Sequence, residues 1–335
     1  MDAITRIKQL GMPRRNNELW TFFPVAKIPN VLSPDSDCHV ADAPRNDNQD
    51  AFDFSEENDF AALLPVAQNA RTMVQNIADG SEEMAMLKCN NDYGHTVLNI
   101  GKNAKASIEI LDNKVQHPIC AERFDINVGE GASVEIFFAN PANDLPLTFR
   151  HFRITQAAGS NVRFSAIERG NGITRVSIDA FLNAAGANFD ARTLNVLGGE
   201  SSSHHRLHIY HNAPETTSTQ LSRNLLDGNA TASYDGSVIV GNGCTKAYSS
   251  QLVNTILLSE NSSVSVKPVL KIYHDDVECT HGNTVGELDA EQMFYLVSRG
   301  IPEKAARKML MHAFAFDTFA PLPEGPAKKR LLQEL

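Results

Sequence analysis

The sequence predicts a mainly β protein: a right-handed parallel β-helix (solenoid) core flanked by N-terminal and C-terminal helical segments. Three observations predict it. Short stretches that alternate apolar and polar residues recur along the middle of the chain, each opened by small residues at a turn. The copies read Ala106-Ser107-Ile108-Glu109-Ile110, Ala132-Ser133-Val134-Glu135-Ile136, Ser160-Asn161-Val162-Arg163-Phe164 and Ala187-Asn188-Phe189-Asp190-Ala191. Their spacing is near-constant, with steps of 26, 28 and 27 residues between Ile108, Val134, Val162 and Phe189. Looser copies follow at Ala230-Thr231-Ala232-Ser233-Tyr234 and Ser262-Ser263-Val264-Ser265-Val266. One coil cannot bury its apolar face alone, so neighbours stack into a continuous core. An ordinary two-sheet sandwich is the competing architecture. The expected divisions are residues 1–90, 91–285 and 286–335.

In chain order, Ile4, Ile7 and Leu10 fall at helical spacing before Gly11-Met12-Pro13 ends the run. Trp20, the one tryptophan, is expected to anchor this arm on the core. Residues 31–59 are rich in Asp, Asn, Ser and Pro and read as a loop or linker. Phe60, Leu63, Leu64, Ala67, Ala70, Val74 and Ile77 predict a helix ending near Gly80. At the far end, Asp289 with Gln292 resembles a capping box, opening a helix to Gly300. Pro302 and Glu303 suit the first turn of another, with Ala306, Met309, Leu310, Ala313 and Phe316 on its apolar stripe. This helical segment is expected to cap the open end of the coils.

Composition excludes several classes. The 335 residues carry a net charge of −10 with no long basic run, which argues against nucleic acid and anionic membranes as partners. The first residues lack a signal peptide's apolar core, and no segment reaches membrane-span length. The five cysteines, Cys38, Cys89, Cys120, Cys244 and Cys279, are widely spaced without a CxxC pair. That suits a reducing cytoplasm and argues against a disulfide framework or a self-contained zinc site.

Ser203-His204-His205-Arg206-Leu207-His208-Ile209-Tyr210-His211 looks like a metal strand, but alternation splits it. His204 and His208 share one face, His205 and His211 the other, so no three imidazoles converge. Gly241-Asn242-Gly243-Cys244 lacks the lysine and hydroxyl of a phosphate loop, and no GxSxG elbow is present. Lys246 could assist a Cys244 thiolate, although a cysteine at such a turn is more often a small hydrophobe. A chain without catalytic machinery of its own is the expectation.

The stretch Ile272-Tyr273-His274-Asp275-Asp276-Val277-Glu278-Cys279-Thr280-His281-Gly282 remains. It reads as a strand opening at Ile272 and closing at Gly282 and Gly286, with Val277, Cys279 and His281 on one face. A thiol and an imidazole two residues apart could serve a soft metal. Acidic neighbours are expected to raise the Cys279 thiol, which leaves His281 as the better ligand.

Asp275-Asp276-Val277-x-Cys279-x-His281-Gly282-x-Thr284-Val285-Gly286 resembles the signature of the SufB/SufD family of the SUF iron–sulfur assembly system, and is nearest to SufD. The run Glu291-Gln292-x-Phe294-Tyr295-Leu296-x-Ser298-Arg299-Gly300-Ile301 and the opening Gly11-x-Pro13…Glu18-x-Trp20 are similar to the same family, whereas Asn283 stands where it usually has Ala. The resemblance implies a non-catalytic scaffold paired with a SufB-like subunit and joined to a SufC-like ABC ATPase, with self-pairing as another state of the isolated chain. It implies no permanently bound cofactor, but a transient iron–sulfur cluster or iron at the SufB interface, touched by His281 and more weakly by Cys279. Met309, Leu310, Phe314 and Phe316 are the candidate ATPase contact, since they offer more apolar surface than a cap needs. A carbohydrate-active β-helix enzyme or a purely structural solenoid is the alternative.

Overall fold

The computed structural model describes residues 1–14, 16–28, 57–68, 72–89, 93–112, 119–139, 147–170 and 172–335. The expected linker at 31–59 falls almost wholly outside the described residues. Among the described residues sixteen strands alternate between two parallel eight-stranded sheets, so the chain coils as a parallel β-solenoid. The odd sheet holds β1 (Thr72–Ile77), β3 (Tyr93–Ile100), β5 (Cys120–Val128), β7 (Leu147–Gln156), β9 (Ile173–Leu182), β11 (Ser202–His211), β13 (Thr231–Val240) and β15 (Ser263–Ile272). The even sheet holds β2 (Glu82–Cys89), β4 (Lys105–Asp112), β6 (Ser133–Ala139), β8 (Asn161–Gly170), β10 (Asn188–Leu197), β12 (Thr217–Leu226), β14 (Ala247–Leu257) and β16 (Val277–Gly286).

Register explains the repeat and corrects it. Ala106 pairs with Val134, Val134 with Val162 and Val162 with Phe189, so the first copy sits two residues out of the expected alignment. The looser copies at Ala232 and Val264 belong to the other sheet. Between the sheets, Phe124 and Phe152 stack at 4.8 Å, and Phe164 meets Phe152 edge-on at 4.9 Å. Each such ring contributes about 1.5–3 kcal/mol through burial. The coils turn on small residues because little else fits: a Cβ on Gly129 would lie 2.7 Å from the Ile100 carbonyl oxygen.

Three expectations about the helices change. The N-terminal helix α1 (Ala3–Leu10) forms as the periodicity predicts, but the next, α2 (Phe60–Ala67), stops well short of Gly80. Val74 and Ile77 lie in β1, which pairs in parallel with β3, so the solenoid begins at Thr72 rather than 91. The β-branched Thr72, Val74 and Ile77 and an available neighbouring strand override the helical spacing. Both helices pack with Trp20 on the outer face of the odd sheet, where Trp20 is 1% exposed against Phe23, Phe60 and Phe149.

The C-terminal helices are α3 (Ala290–Ser298), α4 (Glu303–Phe319) and α5 (Pro326–Gln333). Asp289 caps α3, accepting from the Glu291 and Gln292 amides at 2.8 and 3.0 Å. They do not cap the coils: α4 lies across β10 and β12, α5 lies against β4, β6 and β8, and α3 has no buried residue. The face of α4 that packs is Ala306, Ala315, Thr318 and Phe319, with Met309, Ala313 and Phe316 turned to solvent. Arginines fix that orientation. Arg192 donates to the Thr318 carbonyl at 3.2 Å, Arg307 to the Leu258 carbonyl at 2.7 Å, and Arg223 to the Phe314 carbonyl.

Candidate functional site at the open end of the solenoid

The predicted strand around His281 is two pieces. β15 ends at Ile272, residues 273–276 make the turn, and β16 starts at Val277. The Lys246 amide donates to the Asp276 carbonyl at 2.6 Å, which ties this turn to the coil before it. Gly282 is therefore mid-strand, not its end, and His281 is not at the mouth of the strand. Continued pairing with β14 holds Gly282 extended, opposite Leu252.

The pairing also says which way the two candidates face. Cys279 lies opposite Ser249 and His281 opposite Gln251, and both partners point into the core, 0% and 2% exposed. Cys279 thus continues the core-facing row Val134, Val162, Phe189, Ser218, Ser249. His281 continues the row Ile136, Phe164, Ala191, Gln220, Gln251. Both rows turn from apolar to polar as they near the open end. The expected shared face of Cys279 and His281 is present, and the two belong to the solenoid's own interior pattern.

The polar rungs are knitted by hydroxyls. Ser218 Oγ and Ser249 Oγ lie 2.9 Å apart, and Tyr234 donates its hydroxyl to Gln220 Oε1 at 2.7 Å. His211 is held between Thr216 Oγ1 at 2.8 Å and Ser218 Oγ at 2.9 Å. Sequence reading did not single out Gln220, Ser218, Ser249 or Gln251. The signal was there, as polar residues at the core-facing parity of β12 and β14.

At β16 the environment opens. Cys279 is half-buried and His281 exposed, because no further coil among the described residues covers them. Burial pushes the Cys279 thiol up, a backbone hydrogen bond with Ser249 works against it, and Glu278 adds to the rise. Burial, more than acidic neighbours, therefore makes Cys279 a reluctant thiolate. No group of three or more metal-ligating side chains occurs among the described residues.

The other candidates resolve into structure. His205 faces the core, with Nδ1 at 3.2 Å from Thr193 Oγ1, and burial lowers it to about 4. His204 faces outward between Ser202 and Ser233, each at 2.7 Å, and burial followed by Arg175 lowers it to about 3. Both are neutral imidazoles spent on hydroxyls. Cys244 is buried and donates its thiol to the His211 carbonyl at 3.2 Å, and burial pushes it up. Lys246 instead lies 3.9 Å from Glu215.

A cleft of about 1060 Å³ lies between the N-terminal arm and the odd sheet, lined by Glu57, Arg123, Asp125, Arg153, Asp179 and Arg206 among others. Asp125 is bound by Arg123 at 2.8 Å and Asp179 by Arg206 at 2.9 Å. Although burial opposes it, these arginines hold Asp125 well below the carboxylate range and Asp179 at about 2. Phe181 stacks on Tyr210 at 4.6 Å and carries Arg153 on its other face at 4.4 Å, so neither face is free for a ring.

The surface of the α3–α4 hairpin is the last feature. Phe294, Tyr295, Val297, Met309 and Phe316 are all exposed, Phe294 by 76%. Leu310 is half-buried, and Phe314 packs against the even sheet with Arg223 4.8 Å from its ring centre. Of the four residues expected at an ATPase contact, Met309 and Phe316 present themselves to solvent.

Comparison with known proteins shows the family. The chain is 28% identical to the iron–sulfur cluster assembly protein SufD of Escherichia coli over 244 residues, covering 71% of this chain and 57% of that protein. It is 29% identical to SufD of Bacillus subtilis over 143 residues, 43% of this chain and 33% of the relative. A SufBD family protein of Synechocystis is 29% identical over 180 residues, 54% of this chain and 40% of its own length. The chain thus spans well under two thirds of the length of these relatives. Residues 83–314, from β2 into α4, match the model of the SUF system FeS cluster assembly SufBD core domain, and the chain belongs to that family as a SufD-like protein of iron–sulfur cluster assembly.

Proposed function

We propose that this chain is a non-catalytic scaffold that supports iron acquisition and de novo cluster assembly at an interface with a SufB-like subunit. The observation that carries this reading is the placement of Cys279 and His281 on core-facing rows of an uncovered last coil. β15 and β16 end their sheets with an unpaired edge, which a partner strand can extend. An imidazole from this side, joined by donors from the partner, would hold iron or a nascent cluster loosely enough for release. Iron and cluster are cargo here, not resident cofactors.

A SufC-like ABC ATPase would dock on the exposed apolar face of the α3–α4 hairpin, with Met309 and Phe316 at the contact. The cleft on the odd sheet supports the non-catalytic reading against carbohydrate hydrolysis. Hydrolysis of a glycosidic bond needs one carboxyl raised to act as acid, and Asp125 and Asp179 are both lowered. No described helix is long and apolar enough to cross a membrane. A cytoplasmic setting suits the thiols of Cys244 and Cys279.

Purification of the tagged chain from its native cell tests the reading. A SufB-like subunit and an ABC ATPase are expected to come with it, and the isolated chain is expected not to hydrolyse ATP. ATPase activity that survives removal of contaminants would overturn the scaffold assignment.

A further inference from the structure

Gln251 is 2% exposed, yet neither Nε2 nor Oε1 of its carboxamide has a hydrogen-bond partner. Leaving a buried amide unpaired is costly, and native interiors rarely do so without a reason. The residue sits one rung inside His281 on the same core-facing row. The His281 ring makes no hydrogen bond among the described residues. Adjacent strands lie roughly 4.8 Å apart, within reach of a glutamine side chain to an imidazole on the next rung.

We propose that Gln251 is the positioning residue for His281. The two groups do not touch in this structure; a rotation of the exposed His281 ring brings one imidazole N–H to Gln251 Oε1 and leaves the lone pair of the other nitrogen aimed out of the coil. Fixing a ligand's tautomer through its second nitrogen is how outer partners orient metal-binding histidines. The row supplies the rest of the hold. Tyr234 donates its hydroxyl to Gln220 Oε1 at 2.7 Å, and that oxygen keeps a second lone pair for the Gln251 amide. With both Gln251 contacts closed, a chain Tyr234–Gln220–Gln251–His281 runs from the buried core to the exposed imidazole; in this structure its Tyr234–Gln220 link is made. This explains why the core-facing row becomes polar only as it approaches the last coil. The inference rests on His281 being the ligand for its purpose, but not for its geometry.

The test reads the tautomer directly. In protein labelled with ¹⁵N-histidine, the His281 ring signals are assigned by their loss in His281→Ala and recorded at alkaline pH. The wild type is expected to show one dominant tautomer. Gln251→Met, which keeps volume but removes the acceptor, is expected to shift the ring signals by several ppm toward a tautomer mixture. Gln251→Glu, which restores an acceptor, is expected to return the single tautomer. Backbone amide spectra establish that each variant keeps β14 and β16, and Gln251→Leu serves if Gln251→Met does not fold. Ring signals unchanged in Gln251→Met, or in Gln251→Leu, overturn the proposal, since a bound water would then satisfy the amide. In the assembled complex, Gln251→Met is expected to weaken ferrous iron binding about tenfold. If the tautomer follows Gln251 while His281→Ala leaves cluster yield intact, the hydrogen bond stands and the ligand reading falls.

Discussion

Asp59 and Arg175 meet at 2.7 Å with side chains only 2% and 3% exposed, and they fasten the N-terminal arm to the solenoid. Asp59 also opens α2, accepting from the Ala61 amide at 3.0 Å. Asp59→Ala removes the cap and leaves a buried guanidinium without its counter-charge, a loss of about 3–5 kcal/mol. Asp59→Asn keeps the cap and is expected to cost less. Urea unfolding of the two variants measures this. Midpoints indistinguishable from wild type would mean that the arm is not held by this pair.

Stability is expected to fall on acidification in two successive windows. His205 is neutral in the fold and lowered to about 4, so the unfolded chain binds its proton first as pH drops below about 6.5. Its contribution is present at neutral pH and lost between those values. Asp179 is lowered to about 2, so its contribution is present above about 4 and lost as pH falls toward 2. Thermal melts from pH 7 to pH 3 check the order. Stability that rises as pH drops from 7 to 5 would contradict the buried neutral histidines.

The core follows ordinary packing rules. Phe152 is 0% exposed and touches Phe124, Phe138 and Phe164. Phe152→Ala is expected to cost about 3–5 kcal/mol, because close-packed rings leave a cavity that cannot collapse. Differential scanning calorimetry reads the loss, and a change under 1 kcal/mol would mean that the layer repacks.

The solenoid was legible because its period is set by coil length, which the sequence repeats. Its start was not legible, since Val74 and Ile77 keep helical spacing while lying on opposite faces of β1, and only pairing with β3 reveals the strand. The stripe of α4 was misread by spacing for a similar reason. Met309 and Phe316 are as apolar as Phe319, and the arginines that select the packed face come from β10, β12 and the helix itself. At the site, the shared face of Cys279 and His281 followed from alternation. The direction of that face did not, because it depends on register with Ser249 and Gln251 a coil away.

The hairpin surface separates a docking role from a packing role. Met309 is 50% exposed, and Met309→Asp is expected to leave the β-rich circular dichroism unchanged while weakening capture of the ATPase at least tenfold. Phe314 packs on the even sheet, so Phe314→Asp is expected to lower the melting temperature as well. Full ATPase capture by Met309→Asp would move the contact elsewhere.

Cluster formation by the His281→Ala complex is the most direct test of the central claim. The variant changes an exposed side chain on an end strand, so the complex with the SufB-like subunit and the ATPase should still assemble. Reconstitution with ferrous iron and a sulfur donor, followed by its visible absorption and Mössbauer spectra, is expected to show almost no cluster in His281→Ala. Cys279→Ala, with its thiol pushed up by burial, is expected to retain most of the yield. Normal yield and unchanged iron spectra in the His281→Ala complex would contradict the account.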